Sequence, residues 1–416
     1  MKVLMLTYFY PYVSNPLRGI FVTKRIEQYK RIGIDYTAIP IGFGEGVIFR
    51  FFRQILGKGS MRPIEQLGNA KYSIIKHSGA FPWALWQITR RLNIKWEEEV
   101  VKAFSKYLAK RIEKSFDVSS YDVIHAHGMY TPPAGLVAKI LGKRCSKPYL
   151  ISLHGSDVNF VMGRRKSYLD VLESAFAVIF VSEALLKKAM ALGYSGKNAY
   201  VIPNGYDPEI FKPMDKNETR KQLGTYEEGY KYVGFVGNLI EVKRADKLIE
   251  IFDLVRKGYP KVKFIVVGDG YLRAKMEQEA REKGLEVLFT GRLDQSEVAK
   301  YMNAMDVMFL PSRSEGWPCV VLEAQACGTC VVGSSNGGIP EAIGFEEYVV
   351  EEGPDFEERF AKKVVHVLQN GYEAQRLIER AQKYTWENIV KMEKEVYEAV
   401  VGKAKKGVEH EHKKIL

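Results

Sequence analysis

Residues 312–328 read Ser312-Arg-Ser-Glu-Gly-Trp-Pro-Cys-Val-Val-Leu-Glu-Ala-Gln-Ala-Cys-Gly328. This stretch follows an apolar run, Val307–Leu310, that predicts a buried strand, and its own run Val320–Ala326 predicts a helix. Pro318 suits the first position of that helix, and Gly328 suits its end. The main-chain amides of Cys319 and Val320 would then point out of the helix N-terminus, which is a favourable place for a phosphate group.

Two carboxylates, Glu315 and Glu323, lie on either side of this helix start with seven residues between them. At that spacing both can face one ligand and accept hydrogen bonds from its hydroxyl groups. The alternative is that Glu315 only interacts with the helix dipole and that Glu323 is a solvated side chain. The stretch therefore favours a ligand that carries both phosphate and hydroxyl groups, without requiring one.

Short apolar runs alternate with helical patterns along the whole chain, which is typical of βα units and a parallel sheet. The predicted strands are Val3–Thr7, Asp35–Ile41, Val123–Ala126, Tyr149–Leu153, Ala177–Val181, Ala199–Ile202, Tyr232–Val236, Lys263–Val267, Val287–Phe289, Val307–Leu310 and Cys330–Gly333. Three prolines and an Asn-Gly pair interrupt the pattern at Pro203–Pro213, so two domains are expected to meet there. Doubly wound domains bind ligands at the carboxyl ends of their strands, so a shared ligand is expected in a cleft between the two.

Charge is distributed unevenly along the 416 residues, whose formal net charge is +12. Residues 1–200 contain 30 Lys and Arg against 14 Asp and Glu, and the remainder is slightly acidic. An anionic partner is therefore expected at the first half. Within that half, residues 43–100 are basic and aromatic and hold three of the five tryptophans, Trp83, Trp86 and Trp96. This segment is either a membrane-interface element or an ordinary helical insertion.

The composition excludes several classes of protein. Apolar residues make up 46% of the chain, which is typical of a globular protein with an ample core, and no run is long enough to span a membrane. Four cysteines suit a reducing cytosol, so a cytoplasmic location is expected, and Cys327 and Cys330 are interpreted as packing residues despite their C-x-x-C spacing. The dinucleotide-binding, Walker, zinc-protease, zinc-finger and RNP motifs are all missing, so specific nucleic-acid binding is not expected.

The stretch 312–328 resembles the E-x7-E signature of the GT4-type retaining glycosyltransferases (glycosyl transferases group 1), which have the GT-B fold. Further segments occur in the order of that family and extend the resemblance over nearly the whole chain. They are Tyr8–Phe21, Asp122–His127, Ser152–Asp157, Ile202–Asp207, Gly237–Lys243, Gly268–Gly270, Gly291–Leu293 and Gly337–Glu341.

The resemblance implies three catalytic residues. Glu315 would contact hydroxyls of the donor sugar, Lys243 would neutralise the diphosphate leaving group, and His154 would face the reaction centre from the N-domain. His154 and His127 each end a predicted strand, so either could instead be a buried histidine that braces the sheet.

The resemblance also implies a set of residues that bind the donor. Glu323 would hold the ribose, Arg292 and Leu293 would line the nucleobase pocket, and Gly19 would let the backbone approach the phosphates. Asn238 stands where the family often has an arginine, which would shift work to Lys243 or Arg244. The remaining donor-binding residues would be Asn204, Gly237, Gly268, Gly316, Trp317, Pro318, Cys319 and Val320.

The expected fold is therefore α/β of the GT-B type, with two Rossmann-like doubly wound domains facing across a cleft. The expected domains are 1–205 for the acceptor, with the insertion 43–100, and 206–385 for the nucleotide-sugar, while 386–416 forms a helix that crosses back to the N-domain and a charged tail. No metal is expected.

The expected activity is retaining transfer of a sugar from a UDP-, GDP- or ADP-sugar to a glycan, lipid-linked or other hydroxyl acceptor, in cell-surface polysaccharide or glycolipid synthesis. An anionic membrane surface or a lipid-linked acceptor would bind at the N-domain, which would place the protein at the inner face of the membrane. Two alternatives stay open: a sugar-nucleotide epimerase of the same fold, and a non-catalytic module that binds nucleotide-sugars.

Overall fold

The computed structural model describes residues 1–42, 61–75, Leu85, Trp86, Ile88, 97–165 and 167–415, with side chains as far as residue 404. Most of the predicted basic and aromatic insertion 43–100, including Trp83 and Trp96, lies outside the described residues. Its character as a membrane-interface element or a helical insertion therefore stays a prediction.

The chain divides into two compact units. The first comprises Met1–Pro203 together with Trp386–Leu416, and the second comprises Asn204–Thr385. This division falls two residues before the boundary predicted from the prolines. The first unit is discontinuous, since its last segment follows the whole of the second unit in the chain.

The first unit is built on a parallel sheet of six strands. These strands and a small hairpin (β3 and β4) are β1 Lys2–Thr7, β2 Asp35–Pro40, β3 Gln66–Leu67, β4 Ala70–Lys71, β5 Val123–His127, β6 Tyr149–Leu153, β7 Ala177–Phe180 and β8 Ala199–Val201. The order in the sheet is β2-β1-β5-β6-β7-β8. Strands β5, β6 and β7 are buried along their whole length. Strand β7 is accordingly a continuous apolar run, whereas β5 and β6 also bury the polar side chains of His125, His127 and Ser152.

The helices of the first unit connect these strands, and the last of them returns from the end of the chain. They are Ile20–Tyr29, Glu97–Ser115, Ala134–Cys145, Ser167–Glu173, Glu183–Ala191 and Trp386–Ile415, with short turns of 3-10 or π helix at Lys30–Ile32, Val118–Ser120, Asp157–Val161 and Met162–Arg164. The helix Trp386–Ile415 packs against Ile20–Tyr29 and β5. Consequently the C-terminal segment forms part of the core of the first unit.

The second unit has its own six-stranded parallel sheet. Its strands are β9 Lys231–Val236, β10 Val262–Val267, β11 Val287–Gly291, β12 Val307–Leu310, β13 Cys330–Ser334 and β14 Val349–Val350. The order is β11-β10-β9-β12-β13-β14, so the direction of winding reverses between β9 and β12. Doubly wound sheets bind ligands at the carboxyl ends of the strands next to such a reversal.

Eight helices among the described residues of the second unit flank this sheet. They are Lys216–Gln222, Leu248–Gly258, Arg273–Glu282, Gln295–Ala304, Cys319–Ala326, Ile339–Ile343, Phe356–Asn370 and Ala374–Gln382, and 3-10 turns occur at Glu241–Lys243, Ala245–Lys247 and Glu346–Tyr348. Asp215 and Asp294 cap two of the helices, each accepting a hydrogen bond from a main-chain amide in the first turn.

The predicted doubly wound α/β architecture is confirmed. All eleven predicted strands are present, and their ends differ from the prediction by no more than two residues. Strand β14, with only two residues, was not predicted because so short a run carries no periodic signal. In the part of the chain that the structure describes, no helix is long and apolar enough to cross a membrane.

Candidate functional site

Glycines at the carboxyl ends of β9, β10 and β11 hold these strand ends together through the backbone. The amide of Gly237 donates to Val267, and the amide of Gly268 donates to Gly291, each at 2.9 Å. A Cβ on Gly268, whose φ is +133°, would lie 1.9 Å from the carbonyl oxygen of Gly237. Only glycine fits at this position. Because these glycines have no side chains, only main-chain atoms lie at these positions of the strand ends.

The central feature of the second unit is an ion pair between Lys243 and Glu315. Lys243 ends the 3-10 turn that follows β9, and Glu315 lies in the loop that follows β12. The Nζ of Lys243 donates to the Oε1 of Glu315, and both side chains are largely buried, with 25% and 11% of their surface exposed. The pair therefore lies where β9 and β12 are neighbours and the winding of the sheet reverses.

A second ion pair fixes these two loops to each other. The guanidinium of Arg313 bonds both carboxylate oxygens of Asp246, at 2.6 and 2.8 Å, and the amide of Arg313 donates to the carbonyl of Val242 at 2.8 Å. The hydrogen bonds from Arg313 lower the pKa of Asp246. Because Val242 and Arg313 lie close to Lys243 and Glu315 in the chain, this clamp restricts the movement of the Lys243–Glu315 pair.

The loop after β13 supports Glu315 from the other side. The amide of Gly338 donates to the carbonyl of Glu315 at 3.1 Å, and the hydroxyl of Ser334 donates to the carbonyl of Ser312 at 2.6 Å. A Cβ on Gly337, whose φ is +57°, would lie 2.2 Å from the Glu315 carbonyl oxygen. The Gly337-Gly338 pair is thus required for the backbone of this loop to approach Glu315.

The helix after Glu315 begins one residue later than predicted. Pro318 is extended (φ −81°, ψ 97°) and forms the N-cap, so the first helical residue is Cys319. Pro318 is buried, while Gly316, Cys319 and Val320 are partly buried around the helix start. The difference arises because an N-cap residue keeps a non-helical backbone conformation, which proline also adopts.

Glu323 lies in the second turn of this helix and is partly buried. Burial raises the pKa of its carboxyl group to about 7. Among the described residues, none donates a hydrogen bond to this carboxylate. Glu323 is thus not a fully solvated side chain, and its predicted contact with a ligand stays a prediction.

Arg244 and Asn238 differ in whether their side chains are exposed to a ligand. Arg244 is buried, forms ion pairs with Glu352 and, at 3.5 Å, with Glu357, and lies 3.8 Å above the ring of Phe356. Its charge is therefore compensated inside the unit. Asn238 is exposed just beyond β9. Of the two basic residues at 243 and 244, only Lys243 is directed at Glu315.

Three other residues predicted to bind the donor follow the carboxyl ends of strands in this unit: Trp317 comes after β12, and Arg292 and Leu293 come after β11. The indole N–H of Trp317 donates to the carbonyl of Asn204 at 3.0 Å, and its ring lies 5.8 Å from that of Tyr384. Trp317 therefore connects the loop of Glu315 to the start of the unit. Arg292 is exposed and Leu293 partly exposed immediately after β11.

In the first unit, His154 follows β6 and is held by two contacts. Its amide donates to the carboxylate of Asp157 at 3.1 Å, and its Nε2 bonds the Nδ1 of His127 at 3.1 Å. Burial lowers the pKa of both histidines well below 6.5, and the two imidazoles are therefore neutral near pH 7. Nδ1 of His154 and Nε2 of His127 are buried with no hydrogen-bond partner among the described atoms.

Gly19 precedes the first helix of the same unit. Its φ is +69°, and a Cβ there would lie 2.6 Å from the carbonyl carbon of Phe9. The fold thus needs glycine at this position whether or not a phosphate approaches it. The predicted contact of Gly19 with phosphates stays a prediction.

Sequence reasoning missed a buried polar network in the first unit. The guanidinium of Arg25 bonds Glu393 at 2.6 Å, and both side chains are fully buried. Tyr29 bonds both Glu393 and Tyr397, and Tyr397 in turn contacts the Nδ1 of His125 at 2.6 Å. Because Arg25 and Glu393 lie 368 residues apart, no local pattern could have indicated the pair.

The four cysteines are free, and Cys327 and Cys330 are buried. Burial raises the pKa of the Cys327 thiol to about 12, which fits the interpretation of these cysteines as packing residues. Within the described ranges, no group of three or more histidine, cysteine or acidic side chains is arranged to hold a metal ion.

The two units match two glycosyltransferase family models. The model described as "Glycosyl transferases group 1" matches residues 215–384, and the model described as "Glycosyltransferase Family 4" matches residues 82–210. Together they span most of the chain.

Relatives and solved structures agree with these matches. TuaC of Bacillus subtilis (strain 168), a glycosyltransferase assigned to teichuronic acid biosynthesis, is 29% identical over 429 residues, which cover 100% of this chain and 99% of TuaC. The GDP-mannose-dependent monoacylated alpha-(1-6)-phosphatidylinositol monomannoside mannosyltransferase of Corynebacterium glutamicum is 28% identical over 54% of this chain and 61% of its own. The crystal structure of Anabaena HepE in complex with UDP superposes with a TM-score of 0.68 at 19% identity, covering 96% of this chain and 100% of HepE.

The fold is thus that of a GT-B protein, as the resemblance implied. The chain belongs to the GT4-type glycosyltransferases, the family that the two models describe.

Proposed function

We propose that this glycosyltransferase transfers a sugar from a nucleotide-sugar to a hydroxyl acceptor with retention of the anomeric configuration and without a metal ion. The observation that carries the proposal is the Lys243–Glu315 ion pair at the reversal of the second sheet. A cation and a carboxylate fixed side by side there can bind the two parts of a nucleotide-sugar that meet at the reacting bond, its diphosphate and its sugar.

Lys243 takes the charge of the leaving group in this proposal. The bond between the anomeric carbon and the diphosphate oxygen breaks, and the diphosphate carries away the electron pair. The acceptor oxygen bonds to the anomeric carbon, and the acceptor proton passes to the leaving phosphate oxygen. An ammonium group already held at this place by Glu315 and by the Arg313–Asp246 clamp stabilises the developing charge without reorganisation. Either a same-face attack or a covalent intermediate gives retention.

Glu315 and Glu323 act as hydroxyl acceptors. Glu315 would bind the donor sugar, and Glu323, whose carboxylate has no donor among the described residues, would bind the ribose. The N-terminus of the helix Cys319–Ala326 would bind the diphosphate through its first amides. Arg244 would act indirectly, since its charge is compensated by Glu352 and Glu357.

His154 is the catalytic residue that we propose in the first unit. Its neutral imidazole has an Nδ1 without a hydrogen-bond partner among the described atoms, so it can bond a hydroxyl of the substrate. Asp157 holds the main chain of His154, and His127 fixes the orientation of its ring.

A UDP-sugar is the first donor to test, because HepE has been solved with UDP and with UDP and glucose. A GDP-sugar is the second, because the corynebacterial relative depends on GDP-mannose. The names of the relatives support an acceptor in cell-surface polysaccharide or glycolipid synthesis. We place the protein in the cytoplasm at the inner face of the membrane, which the basic first half and the free cysteines support.

Slow hydrolysis of the donor without an acceptor tests the proposal. The full chain is incubated with UDP-, GDP- and ADP-sugars, and the anomer that is released first is identified by NMR. Release of nucleoside diphosphate together with the donor's own anomer supports a retaining transferase. Conversion into an epimeric nucleotide-sugar would indicate the epimerase, and binding without turnover would indicate the non-catalytic module.

A further inference from the structure

A cavity of about 310 Å³ lies in the first unit, and none of the residues predicted to be catalytic or to bind the donor lines it. Its volume is at the lower end of the range for ligand pockets, about 300–1,000 Å³. Four aromatic residues line it, Tyr8, Trp86, Tyr130 and Phe160. The rings of Tyr8 and Tyr130 stack at 4.8 Å, and Phe160 is 58% exposed although it is a large apolar residue.

The charges of the cavity favour an anion. Arg164 and Arg165 line it together with one carboxylate, Glu97. Glu97 is already paired, because it accepts hydrogen bonds from the guanidinium of Arg165 and, at 3.2 Å, from the indole of Trp86. Arg164 is exposed and forms no hydrogen bond or ion pair with any described residue. Within the described part of the chain, the guanidinium of Arg164 thus has no carboxylate partner, and it lies next to a set of aromatic rings.

The cavity lies close to His154 within the same unit. The ring of Tyr130 is 5.0 Å from that of Phe9, which is 5.3 Å from His154. Gly128, with φ +93°, makes this approach feasible, since a Cβ there would lie 3.0 Å from both Phe9 and Tyr130. The main chain of Tyr8 also donates to the carbonyl of His127 at 3.2 Å. A ligand in the cavity would be one aromatic ring away from the histidine pair.

We infer that this cavity binds the acceptor and that the acceptor is a saccharide with an anionic group, a carboxylate or a phosphate. The inference rests on the proposed function, which it deepens by naming the chemical class of the acceptor. Aromatic faces cover the C–H face of a sugar ring, and a free guanidinium bonds a carboxylate or phosphate. Glu97 and Trp86 hold Arg165 in place, which leaves Arg164 to select the charged ligand.

Binding of small saccharides to the full chain tests this inference. Dissociation constants are measured by saturation-transfer NMR for methyl glucuronide, glucose 6-phosphate, neutral methyl glucoside and inorganic phosphate. We expect the two charged sugars to bind about tenfold more tightly than the glucoside, the effect of a charge-assisted hydrogen bond. The charged sugar that binds more tightly shows whether the anionic group of the acceptor is a carboxylate or a phosphate.

Variants separate the two parts of the site. R164Q should abolish the preference for charged sugars, whereas R31Q, which removes an exposed arginine of the same unit, should retain it. F160A should weaken the binding of all three sugars and leave the binding of inorganic phosphate unchanged. The inference is overturned if the wild type binds the four probes equally, if R164Q keeps the preference, or if F160A leaves sugar binding unchanged.

Donor hydrolysis by the wild type, measured on the same sample, separates this inference from the proposed function. Hydrolysis of a nucleotide-sugar without any charged-sugar preference would overturn only the acceptor class. An absence of hydrolysis with every donor would overturn the proposed function, while the saccharide affinities would still be measured independently.

Discussion

Lys243 and Glu315 form an ion pair that joins the loop after β9 to the loop after β12, the two central neighbours in the sheet of the second unit. The residues are 72 positions apart in the chain. A ligand diphosphate can bind Lys243 only by sharing the ammonium with Glu315 or by displacing it. In the proposed function, Glu315 would thus serve both to hold the cation and, once the diphosphate has bound, to accept hydrogen bonds from the sugar.

Replacing Lys243 by glutamine should weaken nucleoside diphosphate binding. The change removes a charge-assisted hydrogen bond of about 1.5–3 kcal/mol, and we therefore expect a loss of at least about tenfold in affinity for UDP. Calorimetric titration gives the dissociation constant. K247Q is the matched control, because Lys247 lies nearby and pairs only with Glu250 among the described residues. Equal affinities of K243Q and K247Q would contradict the assignment.

Replacing Glu315 by glutamine should reduce turnover while the chain stays folded. Loss of one electrostatic contact to a transition state typically costs about 100- to 1,000-fold in rate. Steady-state donor hydrolysis measures the effect, and circular dichroism checks the fold. E351Q changes an exposed glutamate of the same unit and should keep the wild-type rate. Wild-type turnover in E315Q would exclude Glu315 from the reaction.

Affinity for a nucleotide-sugar should rise with pH around 7. Burial raises the pKa of Glu323 to about 7, so its carboxylate, which accepts ribose hydroxyls better than the acid does, becomes populated as the pH passes that value. Titrations with UDP-glucose at pH 6 and 8 are suitable, because its diphosphate does not titrate in this interval. E323Q should show no such rise, and a rise of equal size in E323Q would assign the titration to another group.

Removing one partner of the Arg25–Glu393 pair should destabilise the first unit. Glu393→Gln leaves a buried guanidinium without its carboxylate, which costs about 3–5 kcal/mol, whereas the double change to Met at both positions should cost less. Hydrogen exchange of peptides from Ile20–Tyr29 reports the local stability. E387Q breaks an exposed pair on the same helix and should have almost no effect. Similar losses in E387Q and E393Q would show that burial of the pair does not matter.

The first unit should lose stability as the pH falls below about 6.5. Burial lowers the pKa of His125, His127 and His154, so these imidazoles take up protons in the unfolded chain and not in the folded one. Each therefore destabilises the folded state progressively as the pH falls below the pKa of an ordinary histidine. Asp157 opposes this trend, since burial raises its pKa to about 6 and its contribution decreases as the pH rises.

Urea unfolding at pH 5 and pH 7.5 measures this dependence. H125Q should be less stable at pH 7.5 and should show a smaller pH dependence than the wild type, because one of the three histidines is gone. H366Q changes an exposed histidine of the second unit and should resemble the wild type. A pH dependence of the same size in H125Q and the wild type would contradict the argument.

The fold was predictable because its signals are local. Buried parallel strands such as β7 and β12 are continuous apolar runs, and prolines mark the junction of the units. Glu315, Glu323 and Lys243 could be proposed as site residues because they occur in short motifs that resemble those of the family. Their environment was not predictable: nothing near Arg244 in the sequence indicates that Glu352, more than 100 residues later, compensates its charge.

The contacts that the sequence could not indicate join residues that are far apart in the chain. Arg25 meets Glu393, and His125 meets Tyr397 after 272 residues. Arg313 and Asp246 lie 67 residues apart, and each on its own resembles any charged surface residue. They form a pair only because the neighbouring strands β9 and β12 bring their loops together. Such pairs depend on tertiary packing, which no local pattern encodes.

The return of the helix Trp386–Ile415 to the first unit has a consequence for biosynthesis. While the ribosome is still adding the second unit, Met1–Pro203 lacks the helix that brings Glu393 to Arg25. The nascent first unit therefore lacks the carboxylate partner of Arg25, and its core stays incomplete until the last helix has been synthesised. The second unit is continuous, so all of its residues are available for folding before the first unit receives that helix.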